Sequence, residues 1–170
     1  MRRTAMIAMT VALLMVALSG AALAATLTGT AGGDSLKGTS QADVLKGLGG
    51  DDLLQGLGGD DFLYGGTGHD GLYDGGGNDT VYGGSGDDRA EERAVYGGEG
   101  NDTLYGDAGD DALYGGPGSD EIRAGDGSDL VGSEGDGKVD KVDCGPGIDV
   151  AKKSPTEQLD SFVNCERFVS

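Results

Sequence analysis

The sequence predicts an all-β fold, a flattened parallel solenoid in which two short sheets share one narrow apolar core. Three observations support this prediction: a nine-residue period, one aliphatic residue in every unit, and glycine-rich segments between those residues. Eleven units run from Gly29 to Gly132, and the seventh is lengthened by an insertion at 89–93. Composition alone would favour disorder, since the net charge is −18 and 36 of the 170 residues are glycine. A disordered linker would not keep this period, so we interpret the segment as folded.

The last three residues of each unit predict a short strand, because position eight is always aliphatic and faces inward while its two neighbours face outward. The position-eight residues are Leu36, Leu45, Leu54, Leu63, Leu72, Val81, Val95, Leu104, Leu113, Ile122 and Val131. The first six residues predict a turn, in which glycine supplies positive φ and close backbone approach. Alternation of turn and strand then places two units in each coil.

Position six of each unit is aspartate, and these carboxylates are the strongest candidates for a functional site in the sequence. These residues are Asp34, Asp43, Asp52, Asp61, Asp70, Asp79, Asp88, Asp102, Asp111, Asp120 and Asp129. Successive coils would stack their carboxylates above one another, and the resulting repulsion requires a neutralising charge. Carboxylates and turn carbonyls are the hard oxygen ligands that Ca²⁺ binds, six to eight at a time.

The unit resembles the RTX nonapeptide, G-G-x-G-x-D-x-U-x, of haemolysin-type calcium-binding proteins that fold as a parallel β-roll. The resemblance extends over residues 29–132 and implies an RTX β-solenoid. It also implies Ca²⁺ held between the turns of units n and n+2, with the eleven position-six aspartates as metal ligands and glycine-rich carbonyls beside them. From the number of such bridges we expect roughly six to nine Ca²⁺ ions.

The N-terminal residues 1–24 predict a secretory signal peptide, with Arg2 and Arg3 before an apolar run and Ala22-Leu23-Ala24 as the cleavage site. The alternative, a membrane anchor, is disfavoured because the apolar run is shorter than the ~20 residues that span a bilayer. We therefore divide the chain into a signal peptide (1–24), a calcium-binding β-roll (25–132) and a C-terminal capping segment (133–170). The expected location is secreted, extracellular or cell-surface associated, without membrane insertion after cleavage.

The C-terminal segment holds Cys144 and Cys165, an even pair that predicts a disulfide in an exported chain, with metal binding by two thiols as the alternative. Its stretches VDCGPGIDV and FVNCERFV resemble the C-terminal segment of small secreted bacterial proteins of this type. Further short strands are suggested by Val139, Val142, Ile148 and Val150. A single helical turn is suggested at 154–157 by a capping-box pattern. Together these features predict a disulfide-closed C-terminal cap.

The sequence indicates a calcium-dependent structural or interaction module that folds outside the cell, and not an enzyme, because it carries no catalytic motif. The alternative is a non-catalytic or accessory part of an extracellular polysaccharide-modifying or hydrolytic enzyme system. The acidic charge disfavours nucleic acid as a partner, and leaves calcium and a cell-surface polysaccharide or protein. Two features could contact such a partner: the insertion at 89–93, otherwise a surface loop, and the position-nine tyrosines, otherwise cross-strand packing. These tyrosines are Tyr64, Tyr73, Tyr82, Tyr96, Tyr105 and Tyr114.

Overall fold

A computed structural model describes residues 23–88, 94–133, 136, 138–153 and 160–169, which form sixteen strands in two parallel sheets of eight. Sheet A contains β1 (Thr26–Thr28), β3 (Val44–Gly49), β5 (Phe62–Thr67), β7 (Thr80–Ser85), β9 (Thr103–Ala108), β11 (Glu121–Asp126), β13 (Lys141–Asp143) and β15 (Ser161–Val163). Sheet B contains β2 (Ser35–Lys37), β4 (Leu53–Gln55), β6 (Gly71–Tyr73), β8 (Val95–Tyr96), β10 (Ala112–Tyr114), β12 (Leu130–Gly132), β14 (Val150–Lys152) and β16 (Arg167–Val169).

Strand register follows the sequence period. Within the regular units, each strand residue pairs with the residue eighteen positions later, as Leu45 does with Leu63. The pairing of Leu72 with Val95 spans the insertion and keeps the same column in register. One coil therefore contains two nine-residue units, and successive strands alternate between the sheets. The predicted all-β parallel solenoid is confirmed.

The core is narrow, because most strands contribute a single inward side chain, although β11 contributes both Ile122 and Ala124. Ten position-eight residues, from Leu45 to Val131, have no exposed surface. Leu36 is half-buried because β2 forms the edge of sheet B, where no earlier strand covers it. Val142 and Ala151 extend the stack beyond the regular units. The packing thus runs along the whole solenoid and places every turn on one of its two edges.

The C-terminal segment continues both sheets. Strand β13 pairs with β11 and β14 with β12, so the ladders run without a break across the predicted boundary at 132/133. Val142 and Val150 lie in β13 and β14 as expected, whereas Val139 and Ile148 precede these strands and are exposed. A disulfide joins Cys144 to Cys165, the residues that follow the paired strands β13 and β15. The predicted disulfide-closed end is confirmed.

Three sequence predictions lie outside the described residues: positions 1–22 of the signal peptide, the insertion at 89–93 and the helical turn at 154–157. In the part of the chain that the structure describes, no helix has the length and apolar character needed to cross a membrane.

Candidate metal centre

The structure gathers the eleven position-six aspartates into two columns, one along each edge of the solenoid. The Asp34 ladder contains Asp34, Asp52, Asp70, Asp88, Asp111 and Asp129. The Asp43 ladder contains Asp43, Asp61, Asp79, Asp102 and Asp120. In both ladders, Oδ1 of each later aspartate accepts a hydrogen bond from the backbone N–H of the aspartate one coil earlier. The bond from Asp52 to Asp70 measures 2.8 Å, and that from Asp61 to Asp79 measures 2.6 Å. One carboxylate oxygen therefore holds adjacent coils in register.

Both ladders continue into the C-terminal segment, which sequence reasoning missed. Asp140 Oδ1 accepts from the Asp120 N–H at 2.9 Å, and Asp149 Oδ1 accepts from the Asp129 N–H at 2.9 Å. The spacing here is twenty residues instead of eighteen, so the nine-residue frame no longer finds these aspartates. A shorter signal persists, because each stands two residues before an inward-facing residue, Val142 or Ala151. The pattern Asp-x-aliphatic is therefore a better search motif than the full nonapeptide.

The second oxygen of these carboxylates, Oδ2, is buried and has no hydrogen-bond donor at eight ladder positions within the described residues. These positions are Asp52, Asp61, Asp79, Asp88, Asp102, Asp111, Asp120 and Asp149. Their side chains are at most 3% exposed. A buried carboxylate without a compensating partner is strongly unfavourable, so each position calls for a proton or a cation.

At six of these positions the oxygen faces a narrow gap between adjacent coils that glycine at position one keeps open; the exceptions are Asp79, whose unit has Asp74 at position one, and Asp149, which lies beyond the regular units. A Cβ on Gly83 would lie 2.6 Å from Asp88 Oδ2 and 2.8 Å from the carbonyl oxygen of Gly106. No side chain fits at such distances, so the carboxylate and carbonyl oxygens converge on space that only glycine leaves free. Hard oxygen donors from carboxylates and carbonyls are the ligand set of Ca²⁺. The residues present therefore fit a calcium ion.

The turns of the first two units differ from the later ones. The Thr30 N–H donates to Asp34 Oδ2 at 2.6 Å, and the Thr39 N–H donates to Asp43 Oδ2. In the next units the residue at position two has positive φ, 82° at Leu48 and a similar value in the following unit. A β-branched threonine avoids that region, so its turn takes another conformation and directs its own N–H at the carboxylate. Asp34 and Asp43 thus lie on the ladders but have a protein donor at Oδ2.

Burial raises the pKa of the central ladder carboxylates well above their usual range. Hydrogen bonds from the preceding coil oppose this effect, and neighbouring aspartates reinforce it at most positions. The pKa is raised to about 6 at Asp52 and Asp61, to about 7 at Asp88, Asp102 and Asp120, and to about 8 at Asp111. Keeping these carboxylates ionised in the folded chain is therefore unfavourable unless a cation binds them.

Asp74 is a further acidic residue at this edge that sequence reasoning did not place in a site. It occupies position one of its unit, where nine of the eleven units have glycine. Its carboxylate, with those of Asp79 and Asp102, contributes oxygens that lie within 4.8 Å of one another. Burial, followed by the charges of Asp102 and Asp79, raises the pKa of Asp74 to about 9. The departure from glycine was the signal that could have found it.

Position five provides another ladder on the exposed side of the turns. The Asn78 N–H donates to Asp60 Oδ1 at 2.9 Å, the Asn101 N–H to Asn78 Oδ1 at 3.0 Å, and the Ser119 N–H to Asn101 Oδ1 at 2.9 Å. Here the earlier side chain accepts from the later coil, opposite to the position-six ladder. Where both ladders are present, they bind a turn to both of its neighbours.

The position-nine tyrosines stack on one another along the sheets. Ring centroids lie 4.9 Å apart for Tyr73 and Tyr96, and 5.1 Å apart for Tyr96 and Tyr114, with nearly parallel planes. On the other sheet Tyr82 and Tyr105 are 4.6 Å apart. Ring faces that cover each other are not available to a sugar, so this geometry supports the packing interpretation.

A family model for the RTX calcium-binding nonapeptide repeat matches the chain in four copies, at residues 28–63, 37–72, 55–90 and 96–131. These matches cover more than half of the chain. The chain belongs to the RTX calcium-binding nonapeptide repeat family. No curated protein matches it in the comparison with known sequences.

Membership of the RTX family agrees with the geometry of the two edges. The repeats and the solenoid fit a calcium-binding structural module, and the structure contains a regular ladder of buried aspartates. RTX repeats are typically non-catalytic, and the proteins that carry them are usually secreted. The Cys144–Cys165 disulfide is typical of an oxidising, extracellular environment.

Proposed function

We propose that the protein is exported, that its β-roll folds when Ca²⁺ binds outside the cell, and that it acts there as a structural or interaction module. The observation that supports this proposal is the row of buried Oδ2 atoms without donors, of which those of Asp52, Asp61, Asp88, Asp102 and Asp111 face a carbonyl oxygen across a glycine-lined gap. A structural aspartate ladder would need only Oδ1, which already bonds the preceding coil. The second oxygen, which no protein donor reaches at these positions, is available to bind a cation.

The ligands in this proposal are the position-six aspartates from Asp52 onward, the carbonyl oxygens at position one, and Asp149 in the C-terminal segment. Bound Ca²⁺ supplies the positive charge that these stacked carboxylates require. The Oδ1 atoms align adjacent coils through the backbone N–H groups, and the position-one glycines admit the carbonyls. The number of ions proposed is roughly six to nine, since each gap lies between two coils on one edge.

Calcium binding and folding are coupled in this proposal. Without the cation, the buried carboxylates repel one another, and so narrow a core cannot compensate. Binding to the folded chain alone stabilises it in proportion to the logarithm of the free calcium concentration. Low calcium in the cytosol would keep the chain unfolded and exportable, and millimolar calcium outside would fold it.

Circular dichroism of the purified protein tests this coupling. We expect a disordered far-UV spectrum in EDTA and a β-rich spectrum in millimolar Ca²⁺, reversed by chelation and not reproduced by equal Mg²⁺. An identical spectrum with and without calcium would exclude folding on calcium. The intact mass of protein recovered outside the cells tests export, and we expect a chain that begins at Ala25.

A further inference from the structure

Asp74 places a carboxylate where the other turns of its edge leave a gap. On the same edge, a Cβ on Gly38 would lie 2.5 Å from Asp43 Oδ2 and 2.6 Å from the carbonyl oxygen of Gly56. Asp74 keeps the common backbone path, since its N–H donates to the Tyr96 carbonyl at 3.2 Å as the Gly56 N–H donates to the carbonyl one coil later. Its side chain therefore extends into a gap that glycine elsewhere leaves to the ladder oxygens.

Three carboxylates meet in this gap, which we call the tri-carboxylate cluster: Asp74, Asp79 and Asp102. One oxygen from each lies within 4.8 Å of the other two. A search of the described residues for three or more acidic, histidine or cysteine side chains with ligand atoms within this distance finds this group. Other gaps of the ladder have no position-one carboxylate. The cluster is therefore chemically different from the sites of the repeating pattern.

An independent observation indicates that the cluster takes a ligand. Asp74 has no exposed surface, and the other two side chains are each 2% exposed. Each residue commits Oδ1 to a backbone N–H: Asp74 to Gly75 at 2.6 Å, Asp79 to the preceding coil at 2.6 Å, and Asp102 likewise at 2.9 Å. No N–H or O–H group of the described residues donates to the Oδ2 atom of any of the three, and a side-chain hydrogen bond between Asp74 and Asp79 would require a proton on one of the two carboxyl groups. Three buried carboxylates thus bring their oxygens together with no donor from the rest of the protein.

We propose that Asp74, Asp79 and Asp102 form a high-affinity site for a hard divalent cation, which binds Ca²⁺ more tightly than the regular gaps and fills first. This inference rests on the proposed function, because it assumes that the regular gaps bind Ca²⁺. Affinity of oxygen-ligand sites rises with the number of charged ligands and with rigidity. The cluster has one carboxylate more than a regular gap and is fully buried.

The position of the site gives it a role in folding. It bridges units six and eight, near the middle of the solenoid, where the hydrogen-bonded aspartates are 23 residues apart instead of 18. The longer separation arises from the insertion in unit seven, which also lengthens the Asp88–Asp111 step on the other edge, so closing the chain at this level costs more entropy than in the regular coils. Each ordered coil is a template for the next, so filling this site first would start the β-roll in its middle and extend it both ways.

A proton is the competing occupant of the gap. A protonated Asp74 could donate to Asp79 and close the gap against a cation, which would make Asp74 a plug and not a ligand. The two roles predict opposite effects of removing the carboxylate. Loss of a ligand weakens calcium binding at this coil, whereas loss of a plug strengthens it.

The test compares wild-type protein with Asp74→Gly, Asp74→Asn and the control Ala124→Gly. Asp74→Gly restores the residue of most other units, so the backbone of the turn is preserved. Ala124→Gly makes the same change at the other unit without position-one glycine, where no carboxylate is lost. Calcium is titrated by calorimetry in competition with a chelator, and hydrogen exchange is followed at a calcium concentration that fills only the tightest sites.

We expect one tight class of site in wild type and Ala124→Gly, with a dissociation constant about tenfold or more below the rest, and its loss in both Asp74 variants. We also expect β7 and β9 to be protected first in wild type, with Asp74→Gly still folding at saturating calcium. Unchanged or tighter calcium binding by Asp74→Gly overturns the proposal. Failure of wild type itself to fold on calcium overturns the proposed function as well, so the two failures are distinguishable.

Discussion

The first two units and the central units of this solenoid share the same pattern of aspartate followed by an inward aliphatic residue, yet they treat the carboxylate differently. In the first two, the threonine N–H at position two donates to Oδ2 of Asp34 or Asp43. In the central units, position two turns left-handed, as at Leu48 and Gly66, and Oδ2 of residues such as Asp52 has no donor. The φ angle at position two thus decides whether the turn donates a backbone hydrogen bond to Oδ2 of its own aspartate.

This difference explains how one repeat serves two purposes. A turn with a protein donor at Oδ2 has its carboxylate satisfied without a cation, so the first two turns of the solenoid do not need one. A turn with a left-handed position two leaves a carboxylate buried without a protein donor, and under the proposed function that coil would depend on calcium to fold. The position-two residues, more than the aspartates themselves, therefore separate the coils that the proposal makes calcium-dependent from the first one.

The largest expected difference is between Asp111→Ala and Asp34→Ala, two changes on one ladder. In calcium, Asp111→Ala removes a buried charged ligand, and we expect it to lower the free energy of unfolding by about 3–5 kcal/mol. Asp34→Ala removes a half-buried acceptor of two bonds from Thr30, and we expect a loss of about 1–2 kcal/mol. Denaturant titrations at fixed calcium measure both.

The isosteric variants provide the control for charge. Asp111→Asn keeps Oδ1 for the Asp88 N–H and places an amide donor near the carbonyl oxygen of Ala124, so residual structure in EDTA should increase. Asp34→Asn removes an acceptor that Thr30 uses, so residual structure should not increase. Equal effects of the two variants on residual structure in EDTA would contradict the claim that the Asp34 carboxylate has a protein donor where the Asp111 carboxylate has none.

The C-terminal coils differ again, since a covalent bond closes them. Reduction of the Cys144–Cys165 bridge, which closes a separation of 21 residues, should lower the free energy of unfolding by about 3 kcal/mol. Hydrogen exchange should increase most in β13 to β16 and least in β1 to β4. A double variant, Cys144→Ser with Cys165→Ser, should match the reduced protein. Uniform acceleration along the solenoid would contradict a local role for the bridge.

Acidification should partly replace calcium in the central coils. Their carboxylates have folded-state pKa values raised to about 6 to 8, from Asp52 to Asp111. A raised pKa contributes stability at pH below the unfolded value and loses it as pH rises through the folded value. In calcium-free buffer we therefore expect β structure to increase as pH falls from about 8 to about 5. If the far-UV signal of β structure stays constant over this pH range, repulsion between ionised carboxylates is not what keeps the calcium-free chain unfolded.

The smallest effect is expected from converting the first turns into central ones. Thr30→Gly with Thr39→Gly admits positive φ at position two at a cost of about 0.5–1 kcal/mol per glycine. If the turns switch, Oδ2 of Asp34 and Asp43 loses its donor, and calorimetry should count about one or two additional Ca²⁺ ions. A stability loss with an unchanged ion count would show that position two does not control the site.

The periodicity of the sequence predicts the fold closely, because one aliphatic residue every nine leaves a single way to form a continuous core. The eleven aspartates were also predictable, since every unit repeats them. Asp140 and Asp149 were not, because the spacing lengthens after Gly132 and the nine-residue frame is lost. The donor from Thr30 to Asp34 was not predictable either. It depends on a turn conformation that sequence periodicity does not specify.

The most direct test of the proposed calcium sites is a crystal structure of the protein grown in calcium, with the ions located by anomalous scattering. We expect roughly six to nine calcium peaks along the two edges, each in contact with a ladder Oδ2 atom from Asp52 onward. We expect no peak at Oδ2 of Asp34 or Asp43, where threonine donates. Only one or two ions, or peaks away from the aspartate ladders, would contradict the claim that these buried oxygens are the calcium sites.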